Sequence, residues 1–341
     1  LDREKVNGDI VQGLESRYAK DTIDDSEVGP ARLILRQLRR FAGEQFRGFG
    51  HLVGTAFGKD GAAYDLFYRN PHRGESKSDA SAEDARDAIR KVAIEQGVDN
   101  AALEQMRTKR KTVKLPGGSV IDLTPAERMD IAGLWSDPQN RPLMLENGIK
   151  YRREKGILQR TRRLATDDYE AITASMTPAE KAILAEYKKQ TNGRLRDEMN
   201  AASVRIDGFE IATNPEHYSR SVDTSESQKN VKGMGFNMRR WLEDMGILQE
   251  RTKHKQPILV RDFFDFSDRH ISEMTRYAHM AEPIRDALMA LGNPEVSSAM
   301  RRKFGERFIQ NMMDHYEYVS GTGRHAGGAR SEERRVGKEC L

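Results

Sequence analysis

The chain of 341 residues contains a single cysteine, Cys340, which lies one residue from the end of the sequence. Disulfide frameworks, cysteine zinc sites and thiol nucleophiles are therefore excluded for the rest of the chain. Long apolar runs are also missing, since none reaches the roughly 20 residues of a membrane-spanning helix. The eight histidines are dispersed, and no pair has the spacing that directs two imidazoles toward one metal ion. The sequence therefore predicts no metal, no cofactor and no membrane span.

Charged side chains are abundant and nearly balanced in sign. Lysine and arginine number 57, and aspartate and glutamate 53, which gives a formal net charge of +4. Charged residues make up 32% of the chain and hydrophobic residues 37%, a composition on the polar side of globular proteins. The length favours two domains or one elongated helical array.

Both ends of the sequence indicate an open reading frame that has been cut. The first residue is Leu1, and residues 330–340 resemble a translated sequencing adapter, as expected of a metagenomic fragment. We therefore expect missing flanking sequence and a disordered tail over residues 321–341.

Changes in composition along the sequence predict three further regions. Residues 1–78 form a glycine-rich helical region, residues 79–110 a linker with a helix, and residues 111–320 a helical module led by a β-hairpin. The polar, breaker-rich stretch Pro71 to Ala80 predicts the linker itself, with a new helix starting near Ser81.

Two segments carry the same helix-start signal. Leu123 to Glu127 and Met176 to Glu180 each place threonine at the N-cap, proline at the first helical position and glutamate two residues later. The threonine oxygen can accept from a free backbone N–H, and the glutamate can reach back to the N-cap. Both segments predict helices, and the repeat is a local solution to helix initiation rather than an internal duplication.

The remaining patterns complete the predicted fold. Alternating apolar residues in 112–115 and 120–123 flank Pro116 to Ser119, which predicts a hairpin. Apolar residues at steps of three and four through 296–319 predict one long amphipathic helix, and residues 271–291 predict another, kinked by Pro283. The predicted class is mainly α, an elongated helical array or bundle with one small β-hairpin near 112–123.

The order of these elements resembles a known module. A hairpin runs directly into the helix from Leu123. The segment Asn140 to Ile149, helix starts at Thr166 and Thr177, and the segment Asn214 to Arg220 then follow in this order. This order resembles the helical modules of large polyvalent proteins, the very large multidomain proteins of bacteriophages and mobile elements. The resemblance covers residues 111–320; it departs from the family pattern where Pro215 precedes Tyr218.

The resemblance implies a non-catalytic structural or interaction module of a large phage-type protein that is virion-associated or ejected with DNA. It carries over no catalytic residues. The implied partners are other domains of the same chain or phage structural proteins, with DNA as a further candidate. The implied location is the host cytoplasm or the virion.

Several patterns resemble chemical sites only weakly. Asp262, Asp265 and Asp268, with His270 and His279 nearby, could offer oxygen ligands to a cation, but a solvated charged face neutralised by arginines explains them better. Two further hypotheses have equally little support. A Ser219 nucleophile near His217 lacks the strained turn that surrounds such a serine. A phosphate-binding loop at the glycines of 48–54 lacks the following Gly-Lys-Ser/Thr. A further hypothesis for the whole chain is that it is a fragment of an enzyme whose active site lies mostly in missing flanks.

The strongest functional pattern is a basic segment over residues 150–163. Seven cations stand against Glu154 alone, a local net charge of +6. Such a cluster could contact successive phosphates of nucleic acid without reading sequence, and clusters at 107–111 and 251–255 could extend it. The alternative is a solvated helical surface that pairs with acidic neighbours. The candidate nucleic-acid-binding residues are Lys150, Arg152, Arg153, Lys155, Arg160, Arg162 and Arg163.

Overall fold

The computed structural model describes residues 7–8, 10–11, 49–50, 53–54, 56–152, 159–221 and 256–319, with the main chain alone at 152, 159, 160 and 317–319. Most of the predicted glycine-rich region and the whole predicted tail at 321–341 lie outside these residues. The chain divides into two compact units. The first unit comprises residues 1–77, 236–245 and 279–341, and the second comprises residues 78–235 and 246–278.

The described residues are mainly helical, which confirms the predicted class. The helices are α1 (Asn70–Glu95), α2 (Asn100–Thr108), α3 (Pro125–Ser136), α4 (Arg141–Asn147), α5 (Thr166–Ala174), α6 (Pro178–Asn192), α7 (Arg194–Asp207), α8 (Phe263–Gly292), α9 (Pro294–Phe304) and α10 (Glu306–Val319). The strands are β1 (Lys111–Lys114), β2 (Val120–Leu123), β3 (Ile149–Arg152), β4 (Gln159–Arg162) and β5 (Ile258–Leu259). A short helical turn, Ala62–Tyr64, and a π-helix, Asp65–Arg69, precede α1.

The predicted hairpin is confirmed as the antiparallel pair β1 and β2. Lys111 is opposite Leu123 and Lys114 is opposite Val120. Burial alternates along β2, as the period-two pattern requires, whereas in β1 only Val113 is buried. The hairpin then passes directly into α3.

Both predicted helix starts are present, but only one glutamate reaches back to its N-cap. Thr124 accepts from the Glu127 N–H at 3.1 Å, and the Glu127 carboxylate accepts from the Thr124 N–H at 3.0 Å. Thr177 accepts from the Glu180 N–H at 3.3 Å, whereas the Glu180 carboxylate accepts from the Arg128 guanidinium at 2.7 Å. The second glutamate therefore links α6 to α3.

A second sheet lies beside the hairpin and was not predicted. Its strand order is β4-β3-β5, with β3 antiparallel to β4 and parallel to β5. β4 carries only basic and polar residues and β5 is only two residues long, so neither partner of β3 has the apolar alternation that identifies a strand in sequence.

The predicted linker at residues 71–80 is wrong, because this stretch lies inside α1. Ser81 is likewise a helix interior residue and not a helix start. Pro71 cannot donate to the Phe67 carbonyl four residues earlier, and the π-helix ends at this point. The Tyr316 hydroxyl donates to the Phe67 carbonyl at 2.6 Å instead. A tertiary contact therefore replaces the backbone bond that proline removes, and the helix continues.

Replacing Tyr316 with phenylalanine removes that donor while keeping the ring. Because Tyr316 is buried and the Phe67 carbonyl would lose its partner, we expect the free energy of unfolding to fall by about 1–2 kcal/mol. Urea unfolding followed by circular dichroism measures the change. The matched control is Tyr64→Phe, at a half-buried tyrosine, and we expect it to leave the midpoint unchanged. Equal midpoints for the parent and Tyr316→Phe would contradict the assignment.

The predicted long C-terminal helix is two helices. Gly305, with φ of 82°, separates α9 from α10 in a conformation that favours glycine. The predicted apolar positions still face the core of the first unit, since Val296, Met300, Phe308 and Met312 are buried. The predicted apolar periodicity of residues 296–319 is therefore confirmed, whereas the break at Gly305 was not predicted.

The core of the second unit surrounds α3. Every residue from Pro125 to Trp135 is buried, including three charged ones. The Trp135 ring stacks on Tyr169 of α5 with centroids 4.6 Å apart. A helix buried on all sides requires partners for its charged groups, and this requirement organises the polar centre of the unit.

Candidate functional site

The described parts of the predicted basic segment, residues 150–152 and 159–163, lie in or directly after two paired strands and not on a helical surface. Lys150 and Arg152 lie in β3, Arg160 and Arg162 lie in β4, and Arg163 follows β4 directly. The remaining two predicted residues, Arg153 and Lys155, and the side chains of Arg152 and Arg160 lie outside the described part of the chain. The alternative of a solvated helical face is therefore wrong for this segment.

Arg162 has a structural role in this ribbon. Its guanidinium donates through Nη1 to the Val120 carbonyl and through Nη2 to the Ser119 hydroxyl, both at 2.7 Å. It thus ties β4 to the turn of the first hairpin. Lys150 is half-buried, while Arg163 is exposed. The described cations of the segment therefore differ in their access to a partner.

The neighbouring basic clusters do not simply extend this surface. Arg107 pairs with Asp262 at 3.2 Å and with Asp265 at 2.6 Å. Arg110 donates to the Glu127 carboxylate at 2.9 Å and to the Asp122 carbonyl at 2.8 Å. The predicted cluster at 251–255 lies outside the described residues.

The aspartate trio at the start of α8 is neutralised by arginines, as the charged-face interpretation predicted. Asp262 also caps α8, because its Oδ1 accepts from the N–H of Phe264 at 3.0 Å. Asp268 pairs with Arg86 of α1 at 2.6 Å. Within the described residues, no three His, Cys, Asp or Glu side chains are grouped as metal ligands. The partners come from α1 and α2, not from the arginines adjacent in sequence.

A buried carboxylate at the centre of the second unit, Asp130 on α3, accepts several hydrogen bonds. Its side chain is fully buried and accepts from the Arg261 backbone N–H at 2.8 Å, the Arg261 Nη2 at 2.9 Å and the Tyr218 hydroxyl at 3.0 Å. Burial alone would lower the pKa of Arg261, but the Asp130 carboxylate raises it above the ordinary value. The same guanidinium lies 3.4 Å from the Phe266 ring centroid. This arrangement holds a charged pair inside the unit.

A second buried carboxylate, Asp137, fastens the segment before Tyr218 to the end of α3. It accepts from the backbone N–H of Gln139 at 2.9 Å, from the Asn214 amide at 3.2 Å and from the Tyr218 backbone N–H at 3.0 Å. His217 Nδ1 lies 3.7 Å from the same carboxylate. The carboxylate is therefore surrounded by donors.

The weak nucleophile hypothesis for Ser219 gains no support from this geometry. The Ser219 carbonyl accepts from Arg261 at 2.6 Å, so the residue contributes its backbone to the Asp130 network. His217 is oriented toward Asp137. In the glycine-rich region, a side chain on Gly50 would collide with the Tyr68 ring, so this glycine permits close helix packing.

His270 completes the polar centre as a neutral side chain. Its Nδ1 lies 2.8 Å from the Tyr187 hydroxyl, and its ring stacks on Phe266. Burial, with smaller effects from His217 and Arg261, lowers the pKa of His270 to about 3. The unfolded value is about 6.5, so the unfolded chain binds more protons between these two pH values. The free energy of unfolding is therefore not reduced by His270 above pH 6.5, and it falls as the pH drops from 6.5 toward 3.

Replacing His270 with glutamine should flatten this pH dependence. Between pH 6.5 and 4 we expect the free energy of unfolding of the parent to fall more steeply than that of the variant, by at most about 1.4 kcal/mol per pH unit. Urea midpoints at pH 7, 6, 5 and 4 give the two slopes. The exposed His72 provides the control, and His72→Gln should keep the slope of the parent. Parallel curves for the parent and His270→Gln would refute the buried neutral state.

The chain as a whole was compared with known proteins. No protein-family model, curated protein or solved structure matches the chain. Among the described helices, none is both long and apolar enough to cross a bilayer. Function therefore has to be argued from the contacts themselves.

Sequence reasoning missed the Asp130 and Asp137 networks. Asp130 forms no recognisable motif with its neighbours in the sequence. Arg261 is 131 residues away in sequence. The run of small and apolar residues around Asp130 was the available signal, since a helix apolar on several faces is buried.

Proposed function

We propose that the chain is a non-catalytic structural or interaction module of a large phage-type protein. The observation that carries the proposal is the Asp130 network, in which a fully buried carboxylate is bound by Arg261 and Tyr218. The ionisable side chains of this network therefore stabilise the packing of the second unit. The order of elements that resembles large polyvalent proteins agrees with this function.

The other buried or clustered charges support the same proposal. Arg128 and Glu180 form an ion pair with side chains only 4% and 2% exposed, which links α3 to α6. The Asp262 and Asp265 carboxylates pair with Arg107. Among the described residues, these ionisable groups are therefore committed to packing helices together, as expected of a rigid module that presents a surface.

The proposal is tested with any protein segments that the recovered reading frame places before or after this chain. Each segment is produced separately and titrated into the chain by calorimetry. We expect saturable binding with a dissociation constant of about 1–100 μM, the range of transient interfaces between domains. A chain that binds neither flank, nor the structural proteins of the same phage, would contradict the proposal.

A second candidate function is sequence-independent binding of nucleic acid by the basic ribbon. It is supported by the antiparallel pairing of β3 with β4, which brings the cations of the two strands together on one side of the three-stranded sheet. The six cations against one acid around this ribbon, with Arg162 set aside as structural, provide the phosphate contacts.

For this second candidate we expect double-stranded DNA to bind with an affinity that falls as salt rises, by a log-log slope of about −0.9 per phosphate contacted. A variant with Arg152, Arg153 and Arg163 changed to glutamate should lose binding, measured by fluorescence anisotropy at two salt concentrations. The control changes three exposed cations of α1, Arg73, Lys77 and Lys91, to glutamate. Loss in both variants, or salt-independent binding, would argue against the ribbon.

A further inference from the structure

The strand β4 forms the open edge of the three-stranded sheet. In the described sheet β3 lies between β4 and β5, so β4 has a neighbour on one side only. Gly148 and Lys150 direct their carbonyls toward β5, since they accept from the N–H groups of Ile258 and Val260 at 3.1 and 2.8 Å. Successive residues of a strand direct their main-chain groups to opposite sides. Ile149 therefore directs its groups toward β4.

The register then identifies the residues that line the open edge. Ile149 is paired with Arg162, so the main-chain groups of Arg162 face β3. The close approach of Gly148 to the Arg162 carbonyl agrees with this, since a Cβ on Gly148 would lie 2.5 Å from that oxygen. The N–H and C=O of Thr161, one residue earlier, consequently point away from the sheet. Among the described strands, none lies on this outer side of β4.

Two residues beside this edge have exposed side chains, and one of them is basic. Thr161 is opposite Lys150, so the two share one face of the ribbon, and Arg163 continues that face. Thr161 and Arg163 are both exposed. Arg162 belongs to the opposite face together with Ile149, which is buried. The edge therefore combines outward-facing main-chain groups with positive charge on its solvent side.

We propose that the open edge of β4 binds an extended acidic polypeptide segment as an added strand. The Thr161 N–H donates to the partner main chain and the Thr161 C=O accepts from it, as in strand addition to other sheet edges. Acidic side chains of the partner face Arg163. The proposal rests on the proposed interaction function and specifies the chemistry of the partner.

Charge complementarity selects an acidic partner. The segment 150–163 carries seven cations and one acid, so a basic or neutral strand would gain little from it. Main-chain pairing selects a polypeptide over nucleic acid, because only a polypeptide presents alternating N–H and C=O groups along an extended strand. The separation of Lys150 and Arg162 onto opposite faces also favours a partner at the edge over one phosphate backbone following all the cations.

The test uses the full chain and a ten-residue peptide of alternating threonine and glutamate, blocked at both ends and labelled with fluorescein. We expect saturable binding by anisotropy. Thr161→Pro removes the outward N–H, and an edge strand tolerates proline at such a position, so the dissociation constant should rise about tenfold. The same peptide with alternate amides N-methylated should lose binding to the unmodified chain by a similar factor, which tests the main-chain contact without altering the protein.

Charge is tested separately from the main chain. Arg163→Glu should weaken peptide binding about tenfold, whereas Lys114→Glu, at an exposed strand cation of β1, should leave it unchanged. Equal binding of the methylated and unmethylated peptides would overturn the proposal, since charge alone would then suffice. Binding of double-stranded DNA with no binding of the peptide would overturn it in favour of nucleic acid. If the peptide fails while the flanking protein segments still bind in calorimetry, strand addition is refuted and the interaction function stands.

Discussion

Replacing Asp130 with alanine is expected to lower the free energy of unfolding by about 3–5 kcal/mol, because it leaves the Arg261 guanidinium in the interior without its carboxylate. The carboxylate is fully buried, and the Arg261 side chain is 17% exposed. The Tyr218 hydroxyl loses its acceptor in the same variant. Urea unfolding at pH 7, followed by circular dichroism, measures the change.

The control for this variant is Asp197→Ala. The Asp197 carboxylate is 69% exposed and pairs with the adjacent Arg196, so its removal should change the free energy by less than about 0.5 kcal/mol. A loss at Asp130 no larger than the loss at Asp197 would show that the Asp130 network does not hold the unit together, and would remove the main support for the proposed function.

Changing Gly133 to alanine should destabilise the protein by about 3 kcal/mol, although helix propensity alone would favour alanine by about 1 kcal/mol. A Cβ at this position of α3 would lie 2.2 Å from the Tyr218 ring. That ring cannot move aside without breaking the bond from its hydroxyl to Asp130. Overpacking against a fixed ring therefore outweighs the propensity gain.

Thermal and urea unfolding of Gly133→Ala measure this effect. Gly292→Ala is the control, because Gly292 is also a helical glycine, at the last position of α8, and no atom lies within 4 Å of an added Cβ there. We expect the control to be neutral or slightly stabilising. A stabilised Gly133→Ala variant would mean that Tyr218 is free to shift, which conflicts with the packing described for α3.

Features that depend on near neighbours in sequence could be predicted. The hairpin at 112–123 and the helix start at Thr124 follow from turn residues and a capping pattern within about ten positions, and both are present. The linker prediction failed because proline, glycine and serine between 71 and 80 suggest a break when taken alone. The Tyr316 hydroxyl, 249 residues from Phe67, supplies the contact that keeps the helix continuous. No local pattern contains that information.

For the candidate site, too, some features could be predicted from the sequence and others could not. The charge of the 150–163 segment is readable from composition, whereas its ribbon geometry depends on pairing with β5, about a hundred residues later. The anchoring of Arg162 to Ser119 depends on how two hairpins meet. Sequence therefore identified where the positive charge lies but not which cation is structural or which edge is open.

The contact between the Tyr316 hydroxyl and the Phe67 carbonyl has a consequence for how this protein can vary. Proline at position 71 is tolerated because a distant phenol compensates for the missing amide, so substitutions at 71 and 316 should be epistatic. In an alanine-71 background the local amide can donate to Phe67, and phenylalanine at 316 should then be nearly harmless. Among divergent homologues, the proline and the tyrosine should accordingly be gained or lost together.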